Sequence, residues 1–409
     1  MLPTSEMDLE VLTAEALDDD DAARKRVKLN GTQPSCFHCG AAPATNRCSR
    51  CKAVHFCSRS CQQSAWPQHR RTCAPPKRSW ADGAALWARA LRESSGPLLE
   101  EAVRALRAAP ESGDARTASR RATFLGYCRS DAGDAGGAAA HLERAVALDP
   151  SNGDAWRELL LVRERDEGDV VAAKAVVARC PGLWASPEQR PGYLERGLRA
   201  QPWWDGASFP WVAALEAMSG EVRAEASALV DAEAWSDVGG QGRGPSGAHD
   251  GAVVDGSWRE VVLLGAGAVD GAAPATARFV RDRVPDAADL CDSGGGEVIL
   301  SRLAPRSAIR PHCAPTNLRL TCHLGLAVPP CGGCRIRVGA DWRTWAEGRC
   351  LLFDDSFEHE VRNDTDRARV VLLLRFFHPD LAPARRGAAC RDAIEAKAAA
   401  ERARWAPPD

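Results

Sequence analysis

From Leu318 to Gly339 the chain reads LRLTCHLGLAVPPCGGCRIRVG. Two short apolar runs are split by a Pro-Pro and a Gly-Gly pair, the punctuation of strand, break and strand. The same texture recurs on either side, in EVVLLG (260–265), GEVILSRL (296–303), RCLLFDD (349–355) and RVVLLLRFF (369–377). Runs this short and this regularly spaced predict an antiparallel sandwich or jelly-roll, not a parallel doubly wound sheet.

That β-rich texture occupies only part of 409 residues, a length that predicts two or three domains. The net charge of −2 exerts no general pull toward nucleic acid or membrane surfaces. No run of about 18 apolar residues occurs, and the N-terminus is acidic rather than basic and then apolar. The expectation is an intracellular protein, cytoplasmic and/or nuclear, whose 16 cysteines are reduced. Residues 1–30 have the composition of a disordered tail. Within them ARKRVKL (23–29) resembles a nuclear-import signal, or else offsets the acidic run Asp18–Asp21. Residues 80–185 carry apolar residues at helical spacing. GDAGGAAAHLERAVALDP at Gly133 and GDVVAAKAVVARCPG at Gly168 lie about one 34-residue helix-pair period apart, resembling tetratricopeptide-type repeats; a plain helical linker is the alternative. Residues 186–382 form the β-rich region, in which DVGGQGRGPSGAHDG (237–251) reads as a flexible surface insertion. An Ala/Arg/Glu-rich helix and tail close the chain over 383–409.

Near the N-terminus stands CFHCGAAPATNRCSRCKAVHFCSRSCQQSAWPQHRRTC, residues 36–73. Zinc takes four sulfur or nitrogen ligands in a tetrahedron, and each CxxC pair supplies two from one tight turn. Cys36, Cys39, Cys48, Cys51, Cys57, Cys61, His69 and Cys73 make eight ligands, enough for two sites. So short a module cannot bury a sufficient core and would draw its folding energy from metal; a disulfide cluster is disfavoured in a reducing compartment. The spacing closely resembles the MYND-type zinc finger. The resemblance, which covers about a tenth of the chain, implies a cross-braced pair of sites, with Cys36, Cys39, Cys57 and Cys61 on one zinc and Cys48, Cys51, His69 and Cys73 on the other. It also implies binding of proline-containing peptides of partner proteins. His38 and His55 fall outside the pattern, and the CxxC at Cys331 and Cys334 reads as a loop feature.

The β-rich region holds three histidines that could converge: His312, His323 and His359. His359 stands amid six acids in FDDSFEHEVRNDTD (353–366). Two histidines with open positions suit non-haem iron(II), usually completed by a carboxylate. The usual H-x-D/E is absent, because position 314 is Ala, so core histidines are the competing reading. The words around them weigh further. Ser301, HCAPTNLRLTCHLGLAVP (312–329) and the stretch from Cys334 to Leu381 closely resemble the aspartyl/asparaginyl β-hydroxylase family, as do RPGYLERGLRAQPWWD (190–205) and FPWVAALE (209–216) upstream.

The resemblance runs from about 186 to 382. It implies a double-stranded β-helix that oxidises its substrate with iron(II) and 2-oxoglutarate and lacks the carboxylate ligand. His312 and His359 would then hold iron, with water or cosubstrate in the remaining place, and Asp354, Asp355 and Glu358 would support the imidazoles. Arg369, whose planar fork suits a carboxylate, would meet the far end of 2-oxoglutarate, with Ser301 and His323 as further contacts. The family's R-L-R before x-H-L-G-L reads Arg319-Leu320-Thr321 here. Those arginines hold substrate or cosubstrate carboxylates, so Thr321 unsettles the aspartyl-type substrate. The whole chain thus reads as a multidomain α+β protein: a zinc finger, a helical repeat-like middle and a jelly-roll dioxygenase. The finger and helices would recruit a protein or peptide whose Asp or Asn side chains are hydroxylated. The alternatives are a non-catalytic adaptor with a hydroxylase-like scaffold, or a hydroxylase of a small-molecule acid.

Overall fold

The computed structural model describes residues 34–50, 53–73, 80–93, 95–108, 114–166, 168–180, 182–229, 235–238, 253–330 and 332–405. The basic cluster 23–29, Cys51, Cys331 and most of the 237–251 insertion lie outside them. The chain divides into two compact units, 1–78 and 79–409.

In the first unit a two-stranded antiparallel ribbon, β1 (Asn46–Arg47) and β2 (His55–Phe56), precedes helix α1 (Arg59–His69). The Ser58 side chain caps α1 by accepting from the Cys61 amide. Apart from cysteines, the buried apolar core here is Ala44, Phe56 and Ala65. That is too little to offset the ordering of the segment.

Among the described residues the second unit begins with six α-helices: α2 (Trp80–Arg92), α3 (Gly96–Arg107), α4 (Ala115–Asp131), α5 (Ala135–Leu148), α6 (Gly153–Leu161) and α7 (Val170–Arg179). The two look-alike stretches fold alike. Gly133 and Gly168 both adopt positive φ, 74° and 67°, where a side chain would be strained. Asp134 and Asp169 then cap α5 and α7 by accepting from the amides of Gly137 and Ala172. A third pair, α2 with α3, packs through Trp80, Trp87 and Leu106, and Phe124 of α4 stands edge-on to both tryptophans.

After β3 (Trp203–Trp204) come α8 (Val212–Ala217), α9 (Ser219–Ala228), β4 (Ser236–Val238), β5 (Val253–Asp255), β6 (Trp258–Leu264), α10 (Pro274–Arg283) and α11 (Pro285–Asp292). An unbroken series follows: β7 (Val298–Leu303), β8 (Ser307–His312), β9 (Arg319–Ala327), β10 (Cys334–Val338), β11 (Asp341–Thr344), β12 (Cys350–Phe353), β13 (His359–Asn363) and β14 (Arg369–Phe377). Helix α12 (Pro383–Trp405) ends the described chain.

The strands form a seven-stranded sheet, β3-β12-β9-β14-β7-β6-β4, and a five-stranded sheet, β11-β10-β13-β8-β5, antiparallel throughout. Strands β7 to β14 pass back and forth between the two sheets, with the β10–β11 hairpin kept within the smaller one, in the order of a double-stranded β-helix, a jelly-roll. The outer face of the larger sheet carries Leu300, Leu320, Leu324, Leu372 and Leu374, which pack against Leu215, Val222, Val280 and Ala287 of helices α8 to α11. Burial on both faces explains why β14 carries the continuous apolar run VVLLL and why even Arg319, Thr321 and His323 of β9 are buried. Helices α8 to α11 were not expected from the run of β-rich words. They cover the sheet and leave its other face to build the site.

Candidate functional site

Side-chain alternation sends Arg319, Thr321 and His323 of β9, Ser301 of β7, and Arg369, Val371 and Arg375 of β14 to the interior face. The smaller sheet brings His312 and His359 together. They are direct cross-strand partners in β8 and β13, with ring centroids 4.2 Å apart. Each Nδ1 donates to the backbone carbonyl two residues earlier, His312 to Arg310 at 2.8 Å and His359 to Phe357 at 2.9 Å. A carbonyl can only accept, so the proton sits on Nδ1 and Nε2 carries the lone pair, the arrangement that metal-bound histidines take. Burial lowers the pKa of both rings, and the neighbouring His312 helps to push His359 down to about 3. Both are neutral at neutral pH, as metal ligands must be. Among the described residues no acid or thiol joins them in a group of three whose ligand atoms all lie within 4.8 Å.

The acids that follow β12 do different work. Asp354 Oδ1 accepts from the Ser356 amide and hydroxyl, at 2.9 and 2.5 Å, and burial raises its pKa to about 7. Glu358 is buried and receives Arg190 at 2.8 Å, Arg337 at 3.0 Å and Lys174 at 3.2 Å. Its amide also donates to the Glu188 carbonyl at 2.7 Å. The loop that aims His359 is thereby tied to α7 and to residues 188–190. Asp355 lies between Arg319 Nη2 at 3.5 Å and Arg375 Nε at 3.6 Å. Burial opposes its ionisation, but the two arginines win and hold its pKa below the usual carboxylate value.

Toward the other end of β14, Arg369 is 2 % exposed and its Nε–H meets no acceptor. It stacks over Trp345, 4.8 Å from the ring centroid, and forms no ion pair with any described residue. Burial depresses its pKa to about 10, so it stays charged at neutral pH. Trp345 Nε1 donates to His323 Nδ1 at 3.3 Å, which puts the His323 proton on Nε2, itself buried without an acceptor. Ser301 Oγ accepts from Trp258 Nε1 at 2.9 Å and keeps its own proton to give. Ser301, His323 and Arg369 thus present donors and no acceptor partner, a cradle that suits a carboxylate. An uncompensated buried guanidinium is costly, which makes this end of the interior the most distinctive electrostatic feature of the fold. Donor cradle and neutral histidine pair together fit a divalent metal and a dicarboxylate.

In the finger, Cys39, Cys57 and Cys61 sulfurs lie 3.5–3.8 Å apart and gather with Cys36. Cys48 Sγ is 3.7 Å from Cys73 Sγ and 3.3 Å from His69 Nε2. A tetrahedral zinc with Zn–S near 2.3 Å spaces its sulfurs by about 3.8 Å, so both groups have the right dimensions.

Residues 36–73 match the MYND finger family model, and residues 216–379 match that of aspartyl/asparaginyl beta-hydroxylase. The chain thus joins a segment that matches the MYND finger family to one that matches the aspartyl/asparaginyl β-hydroxylase family. It is 34% identical over 214 residues to the Homo sapiens aspartyl/asparaginyl beta-hydroxylase, covering 50% of this chain and 26% of that protein. It is 46% identical over 96 residues to the Mus musculus aspartate beta-hydroxylase domain-containing protein 2, covering 23% and 27%. The chain therefore spans about a quarter of the length of these curated relatives. Among solved structures, a prolyl-4-hydroxylase from Pseudomonas putida aligns with 17% identity and a TM-score of 0.29, over 41% of this chain and 98% of that one.

Of the residues singled out from the sequence, Ser301, Arg319, His323 and Arg369 lie on the interior face and His312 meets His359 across β8 and β13, whereas Asp354, Asp355 and Glu358 make the contacts with Ser356, arginines and Lys174 given above. Arg375 was missed. Its signal lay in β14, where RVVLLLRFF places a second arginine six positions after Arg369, hence on the same face. Among the described residues no helix is long and apolar enough to cross a membrane.

Proposed function

We propose that the chain is an iron(II)- and 2-oxoglutarate-dependent dioxygenase that hydroxylates Asp/Asn-type side chains of a protein or peptide. The observation that carries this reading is Arg369, a buried charged guanidinium without an acidic partner, in the same interior as two histidines whose Nδ1 protons are already committed. His312 and His359 would hold iron through Nε2, and Arg369, Ser301 and His323 would take the far carboxylate of 2-oxoglutarate. Arg319 would contact the substrate or cosubstrate. Iron(II) with 2-oxoglutarate supplies the means of oxidising an unactivated C–H bond with dioxygen. The protein's share is orientation. The β8–β13 pairing fixes the distance between the imidazoles, the backbone carbonyls fix their tautomers, and the Glu358 ion cluster holds the His359 loop. No side-chain nucleophile is required.

In the finger, one zinc would sit on Cys36, Cys39, Cys57 and Cys61, and a second on Cys48, Cys51, His69 and Cys73. The finger would bind proline-containing partner peptides and, with the helical region, bring targets to the barrel. We place this activity in the cytoplasm and/or nucleus. The test is succinate formation from 2-oxoglutarate with and without iron(II), in the native protein and in His359→Ala, alongside 2-oxoglutarate binding. Iron-dependent succinate that vanishes in His359→Ala supports the reading. Absence of both binding and turnover overturns it in favour of an adaptor.

A further inference from the structure

Strand β11 is the outer strand of the smaller sheet, with β10 on one side and no described strand on the other. All four of its residues are exposed. A two-residue turn joins it to β10 and sets Asp341 opposite Val338. Asp341 and Arg343 therefore commit their backbone groups to β10, whereas Trp342 and Thr344 turn theirs outward. No described residue bonds to those outward groups.

A groove of about 510 Å³ follows this edge, lined by Gly332, Arg335, Trp342, Arg343, Thr344 and Leu351, none of them acidic. Alternation puts Arg343 on the inner side of β11, with its ladder partner Ile336, and Trp342 and Thr344 on the outer side. Arg343 lies over Trp203 of β3, 4.2 Å from the ring centroid, and forms no ion pair with any described residue, Asp341 included. Arg335 lies over Trp342 at 4.7 Å. Its ion pair with Asp364 is long, 3.8 Å, and open to solvent, so it neutralises little. Each guanidinium is thus held against an indole with N–H groups left for a ligand.

Charge on an edge strand commonly serves only to prevent pairing with other chains. Here the cations come with a groove, outward backbone groups and an indole that is 38% exposed. Those are the parts of a strand-addition site. We propose that the β11 edge docks an acidic peptide in extended form. The added strand pairs its main chain with Trp342 and Thr344, and its carboxylates meet Arg343 on one face and Arg335 on the other. Nucleic acid supplies the charge but not the main-chain donors and acceptors. The inference stands on the edge itself and does not need the dioxygenase reading. Leu351, the ladder partner of His323, sets the docked segment beside the strand that carries the donor cradle.

The experiment uses the full chain and fluorescein-labelled peptides of about eight residues in which Glu alternates with Thr, with Gln replacing Glu in the control. Binding is read by fluorescence anisotropy. The acidic peptide is expected to bind about tenfold or more tighter than the control, an advantage that shrinks as salt is raised. Arg343→Glu and Arg335→Glu, both checked for folding by circular dichroism, should each weaken it about fivefold or more. Thr344→Pro, which removes an outward N–H and no bond to β10, should weaken both peptides. Amide hydrogen exchange should show new protection at Trp342 and Thr344 when the acidic peptide is bound. Equal affinity for the two peptides, no binding of the acidic one, or unchanged affinity in both folded charge reversals would overturn the proposal. So would protection that arises elsewhere while β11 stays unchanged. Tighter binding of an oligothymidylate of similar length would make the groove a nucleic-acid site instead.

Discussion

The finger and the barrel solve the same problem, gathering soft and polar ligands, in opposite ways. The finger draws all its ligands from residues 36–73 and has almost no core of its own. The barrel draws Ser301, His312, His323, His359 and Arg369 from five different strands, on a scaffold whose helix-backed sheet is already well packed. Where the core is small the metal must make the fold. Where the core is large the fold makes the site, and strain can be kept there, as an unpaired Arg369 illustrates.

The sharpest way to break this comparison is to remove zinc. A structural zinc contributes about 10–16 kcal/mol to a finger's folding, so a chelator should unfold residues 36–73 and leave the jelly-roll intact. Amide hydrogen exchange would report rapid exchange in the Phe56 and Ala65 region with unchanged protection in β9 and β14. Loss of protection in both regions would refute the contrast. Next in size is Glu358→Ala, which leaves Arg190 with Glu164 alone and removes the shared partner of Arg337 and Lys174. Because Arg190 keeps Glu164 and Arg337 keeps Glu360, the cost should fall below the roughly 3–5 kcal/mol of a wholly broken buried pair, to be read from urea unfolding of the barrel.

Arg369→Ala should leave stability unchanged or raised, since it removes an uncompensated buried charge, yet weaken 2-oxoglutarate binding roughly 10- to 150-fold. Arg369→Lys should fall between, lacking the bidentate fork. Equal binding by all three would show that the cradle does not hold the cosubstrate. The smallest effect belongs to Lys174→Ala. Its ammonium is partly exposed, so the ion pair with Glu358 is worth at most about 1 kcal/mol. A change larger than that in barrel unfolding would mean that α7 is more than an outer prop.

What could be read from the sequence follows the same division. The finger's ligands were legible because tetrahedral chemistry acts over two or three residues, as in Cys36-x-x-Cys39. The helix pairs were legible at Gly133-Asp134 and Gly168-Asp169, where a left-handed glycine and a capping aspartate recur together. Strands β9 and β14 announced themselves through burial on both faces. Strands β8 and β13 were obscured because SAIRPH and HEVRN carry site residues where apolar ones would stand. The pairing of Thr321 with Arg375 could not be seen at all. Register across a sheet is set by the whole fold, and nothing local to either word reveals it.

The ion cluster at Glu358 has a practical consequence. The family match begins at residue 216, yet Arg190, whose side chain is fully buried, and Lys174 of α7 both neutralise the residue adjoining His359. A chain trimmed to the matched region would keep every interior arginine and histidine and still leave Glu358 short of two of its three cations. The smallest self-sufficient fragment of this barrel therefore reaches back through α7 to Glu164, the counter-ion of Arg190, and the helical region counts as part of its wall.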